Sequence, residues 1–201
     1  HTKNFRQTCM ESFESFVKTF WFEIPGAGQV VWSWHMSVLC AELQIIAERV
    51  FRSRPKEYDT VINISPGTSK SSICSILFHP WTWTRMPSCR HLWATHTDTL
   101  VLDFATKARR VILSERYQML FPEVKLRPDQ GAKGYYANTL GGDRLSCTVG
   151  GKSPTGFHAH ILGMDDPIDP KKALSEAETA TAREFVLNYL PTRKVDKEVS
   201  V

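Results

Sequence analysis

The sequence predicts an α/β fold, with a mostly parallel central sheet, helices on both faces and one inserted β-hairpin. Three observations predict it. Short apolar runs alternate with segments of helical period along the 201 residues. A Pro/Gly turn, Ser65-Pro66-Gly67-Thr68-Ser69-Lys70-Ser71-Ser72, joins a β-branched run to an apolar segment that reads as a helix. One hairpin signal, Gly141-Gly142-Asp143, interrupts the alternation.

The elements follow in order. Phe13 to Trp21 is aromatic-rich and predicts a short helix, broken at Pro25-Gly26-Ala27-Gly28. From Trp34 to Val50, apolar residues at Leu39, Leu43, Ile46 and Val50 keep helical spacing. Arg52 to Asp59 is a polar, basic loop containing Pro55, and Val61 to Ile64 predicts a short buried strand. After the Pro66–Ser71 loop, a helix is expected from about Ser71 to Phe78, ended by His79-Pro80. Arg90–Thr95 predicts a strand, Asp98–Ser114 a long helix and Glu115–Leu120 a short one stopped by Pro122. Gly134–Thr139 and Arg144–Val149 are strand-like, followed by a Gly-rich loop at Gly150, Gly151, Pro154 and Gly156. Ile161–Met164 is a short apolar run ending in Asp165-Asp166-Pro167. Ser175 and Glu178 form a capping box that opens a helix to Leu190.

Composition is ordinary for a soluble domain, 42% hydrophobic and 23% charged. No apolar run approaches the roughly 20 residues of a membrane-spanning helix. The chain starts at His1 without a signal-peptide pattern and is expected to be a piece of a longer protein. The five cysteines are scattered without a C-x-x-C pair, which predicts buried thiols in a reducing compartment, not disulfides or a zinc site. The net charge of +4 permits nucleic-acid contact without demanding it. Basic residues cluster at Arg49/Arg52/Arg54/Lys56, Lys107/Arg109/Arg110, Lys171/Lys172 and Arg193/Lys194/Lys197. Each cluster alone reads as a solvated face.

The Pro66–Ser72 turn has the strand–loop–helix layout of a phosphate-binding P-loop. In such a loop, here Pro66-Gly67-Thr68-Ser69-Lys70-Ser71-Ser72, the backbone N–H groups that follow the proline surround the phosphates, a lysine neutralises them and a hydroxyl holds Mg²⁺. Lys70 and Ser71 fill the last two roles. Two glycines of the standard pattern are replaced, by Ile64 and Ser69. The alternative is a polar turn with Ser69 as helix N-cap and Lys70 solvated. Hydrolysis also needs a metal-side acid and a water-orienting acid at the end of a neighbouring strand. Asp165 and Asp166 supply them, about 95 residues after the lysine, a spacing that leaves room for intervening strands. Asp165-Asp166-Pro167 alone is equally compatible with a turn.

In the order and spacing of these segments the chain resembles the ATPase domain of the large terminase subunit of tailed bacteriophages. The resemblance runs from about Trp21 onward. It rests on Trp32-Ser33-Trp34-His35, the Ser65–Ser71 loop, Leu120-Phe121-Pro122, Asp129-Gln130-Gly131-Ala132-Lys133-Gly134, Thr148-Val149-Gly150-Gly151, Thr155-Gly156-Phe157-His158-Ala159 and Asp165-Asp166-Pro167.

That resemblance implies a RecA-like fold of the additional-strand class, with a lead-in segment over residues 1–33 and the P-loop ATPase domain over 34–201. It implies ATP and Mg²⁺ as ligands. Lys70 would contact the β- and γ-phosphates, Ser71 and Asp165 would hold Mg²⁺, and Asp166 would stand where related ATPases have a catalytic glutamate, as general base or water positioner. Trp34 and His35 would lie near the adenine, with Gln29 a weaker candidate; packing into the core is the alternative for Trp34. The early loop arginine of many terminases is replaced by Pro66 and Gly67. Arg144 is the candidate for an arginine presented to a neighbouring subunit, with a surface hairpin arginine as its alternative. Implied partners are double-stranded DNA held by its phosphates, a portal protein, a small terminase subunit and further copies in a homo-oligomeric ring, in the host bacterial cytoplasm. No second acidic cluster supports DNA cleavage, so nuclease activity is not expected of this chain. Two other readings remain open: a DNA-binding or assembly module with an inactive loop, and another P-loop nucleic-acid translocase. His158 and His160 have the spacing of a metal pair but no third ligand, so they are not read as a metal site.

Overall fold

A four-stranded sheet lies at the centre of the computed structural model, which describes residues 2–129, 132–151, 156–172 and 174–201. Its strands are β1 (His91–Thr95), β2 (Tyr135–Ala137), β3 (Asp143–Thr148) and β4 (Ile161–Met164), in the spatial order β2-β3-β1-β4. β1 pairs in parallel with β3, from His91↔Arg144 to Thr95↔Thr148, and with β4, from His91↔Ile161 to Ala94↔Met164. β2 runs antiparallel to β3 and closes the predicted hairpin. All five residues of β1 are buried, as a central parallel strand covered on both faces requires. Trp93 joins the principal core, whereas Leu92 and Ala94 join a smaller one with Cys147, Phe157, Ala159 and Phe185. The chain is thus a mixed α/β protein with a mostly parallel sheet.

The helices are α1 (Thr2–Glu11), α2 (Phe13–Phe20), α3 (Trp34–Phe51), α4 (Phe78–Arg85), α5 (Asp98–Leu113), α6 (Glu115–Leu120) and α7 (Glu176–Glu184). Ser12, Thr97, Ser114 and Ser175 cap α2, α5, α6 and α7, each side-chain oxygen accepting a backbone N–H from three residues on. Such caps are worth about 1 kcal/mol each. Residues of the expected lead-in enter the principal core. Phe13 packs 4.9 Å from Trp81, and Phe20 lies 5.7 Å from Tyr117. Burial of each such ring contributes roughly 1.5–3 kcal/mol. α1 has no counterpart in the sequence reading, because its ten residues carry only scattered apolar positions. All five cysteines are buried with free thiols. Among the described residues, no helix is long and apolar enough to cross a membrane.

Two expectations need correction. Val61–Ile64 is not a strand of the sheet: among the described residues no ladder includes it, and Val61 is 91% exposed. A strand needs a neighbour to take its backbone groups. The outer edge of β4 instead meets Val201, whose carbonyl accepts from Leu162 N at 2.7 Å and whose N–H donates to His160 O at 3.1 Å.

Nor does Pro80 end its helix. A π-helical segment, Ser72–Leu77, runs directly into α4, which continues to Arg85. Proline has no N–H, so Pro80 leaves the carbonyls four and five residues back, Ile76 and Ser75, without that donor. The wide turn accommodates it, and Ser75 O is satisfied from outside the helix by Arg144 Nη1 at 2.9 Å.

Candidate functional site

The loop before the π-helical segment has the backbone of an anion cradle. Gly67 and Ser69 both have positive φ, 78° and 67°. Glycine takes that conformation freely, whereas serine is strained in it. Thr68 Oγ1 donates to Ser65 O at 2.7 Å, and Ile73 N donates to Ser69 O at 3.1 Å. The backbone N–H groups of Gly67, Thr68 and Ser69 meet no acceptor among the described residues. Unpaired backbone N–H groups in a turn that leads into a helical segment suit an anion such as a phosphate. Pro66, without an N–H, contributes only its fixed φ.

His35 braces this loop. Its Nε2 donates to Thr68 O at 3.2 Å while Nδ1 accepts from Ser33 Oγ at 2.6 Å, one neutral tautomer satisfying both bonds. Trp34 beside it is 78% exposed, so its alternative as a core residue is ruled out. Gln29 is also exposed.

Lys70 Nζ reaches across to the end of β4, 3.0 Å from Asp165 Oδ1 and 2.9 Å from Asp166 Oδ1. Consecutive strand residues point to opposite faces, so one lysine meets both only because the chain turns between them. Asp165 still follows the ladder, its N–H donating to Ala94 O at 2.9 Å. Asp166 takes a left-handed φ of 44°. His96 holds that turn from the loop after β1, donating to Asp166 O from its backbone N (3.2 Å) and from Nδ1 (2.8 Å).

The two carboxylates differ in environment. Asp165 is 4% exposed, and its Oδ2 accepts from Ser75 Oγ at 2.8 Å. The Asp166 side chain is half exposed. Burial lowers the Lys70 pKa, but the bonds to Asp166 and Asp165 outweigh it and hold the ammonium above its ordinary value.

Ser71 and Ser72 follow Lys70, both partly buried. The hydroxyl bonded to Asp165 belongs instead to Ser75, one helical turn beyond Ser71. Sequence reasoning missed Ser75 and His96. A lone serine in the apolar run Ile73–Phe78, four residues after Ser71, was the available signal for the first; nothing in the sequence marks the second.

Gly163, an unexpected glycine in a strand, is explained by Trp93 at the same register on β1. A Cβ on Gly163 would lie 2.4 Å from the Trp93 ring.

Arg144 is not presented to a neighbouring subunit. It is 0% exposed, its guanidinium 5.5 Å from the Trp93 ring centroid and bonded to Ser75 O, because β3 turns this position into the principal core. Neither a finger nor a surface hairpin arginine describes it. His160 Nδ1 accepts from Arg90 N at 3.0 Å and is thereby occupied. Residues Gln130, Gly131 and Thr155 of the resembling segments lie outside the described residues.

A groove of about 590 Å³ opens beside the Lys70 cluster, between Tyr58–Ile64 and β4, and extends to Leu190 and Val201. Its wall carries Lys70, Ser75, Asp165 and Asp166. Among the described residues no three His, Cys, Asp or Glu side chains converge as a metal cage. Two carboxylates beside hydroxyls nevertheless fit Mg²⁺, a hard cation that takes one or two carboxylates and completes its shell with water and substrate phosphates.

The basic clusters are partly neutralised from within. Arg49 pairs with Glu57 at 2.8 Å, Arg52 with Glu48 at 2.6 Å, Lys107 with Asp103 at 2.6 Å, Lys172 with Glu178 at 2.8 Å, and Lys56 with Asp59. No protein-family model matches the chain, and no curated protein sequence is significantly similar to it.

Proposed function

We propose that this chain is the ATPase motor domain of a viral DNA-packaging machine, similar to the terminase large subunit, with a RecA-like P-loop fold of the additional-strand class. One observation carries the reading: Lys70, at the end of a left-handed Gly/Ser turn, converges with Asp165 and Asp166 from the end of β4. A phosphate-binding lysine and two acids with different exposures form the minimal set for phosphoryl transfer to water.

In this reading the ATP phosphates lie over Gly67–Ser69 and draw Lys70 from the carboxylates. Asp165, buried and fixed by Ser75, faces the metal side with Ser71. Ser71 and Asp165 would hold Mg²⁺, which would supply Lewis-acid stabilisation of the charge developing on the phosphates. Asp166, exposed and held by His96, orients water and accepts its proton. Trp34 offers an exposed ring to the base, and His35 keeps the loop in shape. With Arg144 buried, the further positive charge comes from another residue of an adjoining subunit in a homo-oligomeric ring. Double-stranded DNA is held by its phosphates, because a packaging motor must pass every sequence. Portal and small terminase subunits complete the assembly in the host bacterial cytoplasm.

The test is ATP binding and turnover with Mg²⁺ for the parent chain, Lys70→Ala and Asp166→Ala. The parent binds and hydrolyses slowly, Lys70→Ala binds more weakly, and Asp166→Ala binds without turnover. A parent that binds no Mg²⁺·ATP sinks the reading. That outcome would favour a DNA-binding or assembly module with an inactive loop. The observation on its side is that Val61–Ile64, the run before the loop, lies outside the sheet.

A further inference from the structure

Arg144 is a buried cation without a carboxylate partner among the described residues. Its Nε and Nη2 make no well-formed hydrogen bond, the nearby Tyr136 hydroxyl offsets its burial only in part, and its neighbours His91 and His79 are as deeply buried. Arginine stays charged even under burial that lowers its pKa, so this arrangement is costly. What the guanidinium does there is specific. Pro80 removes the helical donor that Ser75 O would receive in a π-turn, and Arg144 Nη1 replaces it at 2.9 Å. The same Ser75 then donates its hydroxyl to Asp165 Oδ2 at 2.8 Å, leaving Asp165 Oδ1 to face Lys70 Nζ at 3.0 Å. Backbone and side chain of one residue thus connect Arg144 to the acid of the candidate cation site.

We propose that Arg144 is a positioning residue for Asp165: it fixes the Ser75 carbonyl in the π-turn, which sets the Ser75 hydroxyl and aims the Asp165 carboxylate at the metal side of the nucleotide. The inference rests on the reading of Lys70, Asp165 and Asp166 as an Mg²⁺·ATP site. It predicts that Arg144, although it touches neither ligand, governs metal affinity and not nucleotide affinity.

The experiment uses the full chain and three variants, Ser75→Ala, Arg144→Lys and Arg144→Met. A fluorescent ATP analogue is titrated in EDTA, and Mg²⁺ is then titrated into the analogue complex; circular dichroism reports folding. The parent must bind Mg²⁺·ATP. If it does not, the proposed function fails and this inference falls with it, a result separable from every other. Given binding, Ser75→Ala and Arg144→Met each weaken Mg²⁺ by about 10- to 100-fold, the range for groups that orient a metal ligand. Affinity in EDTA stays within about 2-fold. The double variant loses no more than the worse single one, because both act through one contact. Arg144→Lys, which keeps a charged donor, recovers part of the loss. The inference is overturned if Mg²⁺ affinity is unchanged in the arginine variants, if their effect adds in full to that of Ser75→Ala, or if affinity in EDTA falls in parallel. If Arg144→Met does not fold, Arg144→Lys and Ser75→Ala decide: a smaller loss of Mg²⁺ affinity in Arg144→Lys that does not add to that of Ser75→Ala supports the inference, and a loss in Ser75→Ala alone overturns it.

Discussion

Lys70 and Asp166, 96 positions apart in the chain, meet at 2.9 Å between Nζ and Oδ1. The contact joins the turn before the π-helical segment to the turn after β4, and Asp165 shares the same ammonium. One cation between two anions leaves a net negative charge. A phosphate that takes the lysine leaves both carboxylates seeking a cation, so nucleotide and Mg²⁺ are expected to bind cooperatively.

Removing the lysine tests both halves of that exchange. Lys70→Ala should weaken Mg²⁺·ATP binding roughly 10- to 100-fold, the loss expected for one hydrogen bond to a charged group. It should also destabilise the free chain by about 1–3 kcal/mol, because Asp165 is 4% exposed and keeps only Ser75. Calorimetric titration and urea denaturation measure the two. Asp166→Asn should keep binding and lose about 10²- to 10⁴-fold in turnover, the usual worth of a general base. Unchanged turnover in Asp166→Asn removes Asp166 from the chemistry.

Trp34 gives an optical test of the base site. Its ring is 78% exposed at the start of α3, so Trp34→Ala should change stability by no more than about 0.5 kcal/mol. Stacking on a nucleobase is worth about 1–3 kcal/mol. Nucleotide affinity should therefore fall at least about 5-fold, and the tryptophan quenching that ATP is expected to cause in the parent should be lost. Quenching that survives the substitution assigns the base to another part of the surface.

The paired strands alternating with helices, the hairpin and the two acids were legible because each leaves a local mark: short apolar runs, paired glycines, adjacent aspartates. The approach of Lys70 to Asp165 and Asp166 followed from treating those marks as one site. The failures are nonlocal. Val61–Ile64 has the composition of a strand, but pairing depends on a neighbour that sequence does not specify. Pro80 obeys its local rule by denying a donor, yet the helix survives because Arg144, 64 residues later in the numbering, supplies one. The same residue looked like a surface arginine because charge normally predicts exposure. Only the register of β3 beside β1 shows that it faces the core.

Gly163 tests how tightly the acids are held. An added methyl would lie 2.4 Å from the Trp93 ring, and Trp93 in turn carries the Arg144 guanidinium. Gly163→Ala must push the ring or bend β4 two residues before Asp165. A cost of about 1–3 kcal/mol is expected, as for other overpacked sites. Trp93→Leu should relieve it in the double variant, read as a non-additive ΔΔG in denaturation. Additive losses would mean that the ring is not what excludes a side chain at Gly163.

The buried histidines predict a fall in stability on mild acidification. His79 and His91 are 0% exposed, with ring centroids 4.7 Å apart. Burial lowers the pKa of both well below the ordinary value; the proximity of His91 and Arg144 adds to this at His79, and that of Arg144 and His160 at His91. Tyr136 is the other titratable group against them, its hydroxyl 3.4 Å from His79 Nδ1. The folded chain therefore keeps both rings neutral where the unfolded chain, titrating near pH 6.5, protonates them. The sign follows: this stability is present above about pH 6.5 and is lost as pH falls from there toward the lowered folded values. Each ring contributes up to about 1.4 kcal/mol per pH unit, so the pair should cost about 4 kcal/mol between pH 8 and pH 5. Urea denaturation at half-unit steps should give a nearly flat profile around pH 8 and a decline that steepens to at least about two protons per molecule near pH 5, His160 adding a smaller share because its pKa is lowered too. His79→Gln should lower that slope by about one proton whatever its effect on absolute stability, because it removes one titrating ring from both states. A stability that stays level from pH 8 to pH 5 would mean that these rings can be protonated in place beside Arg144.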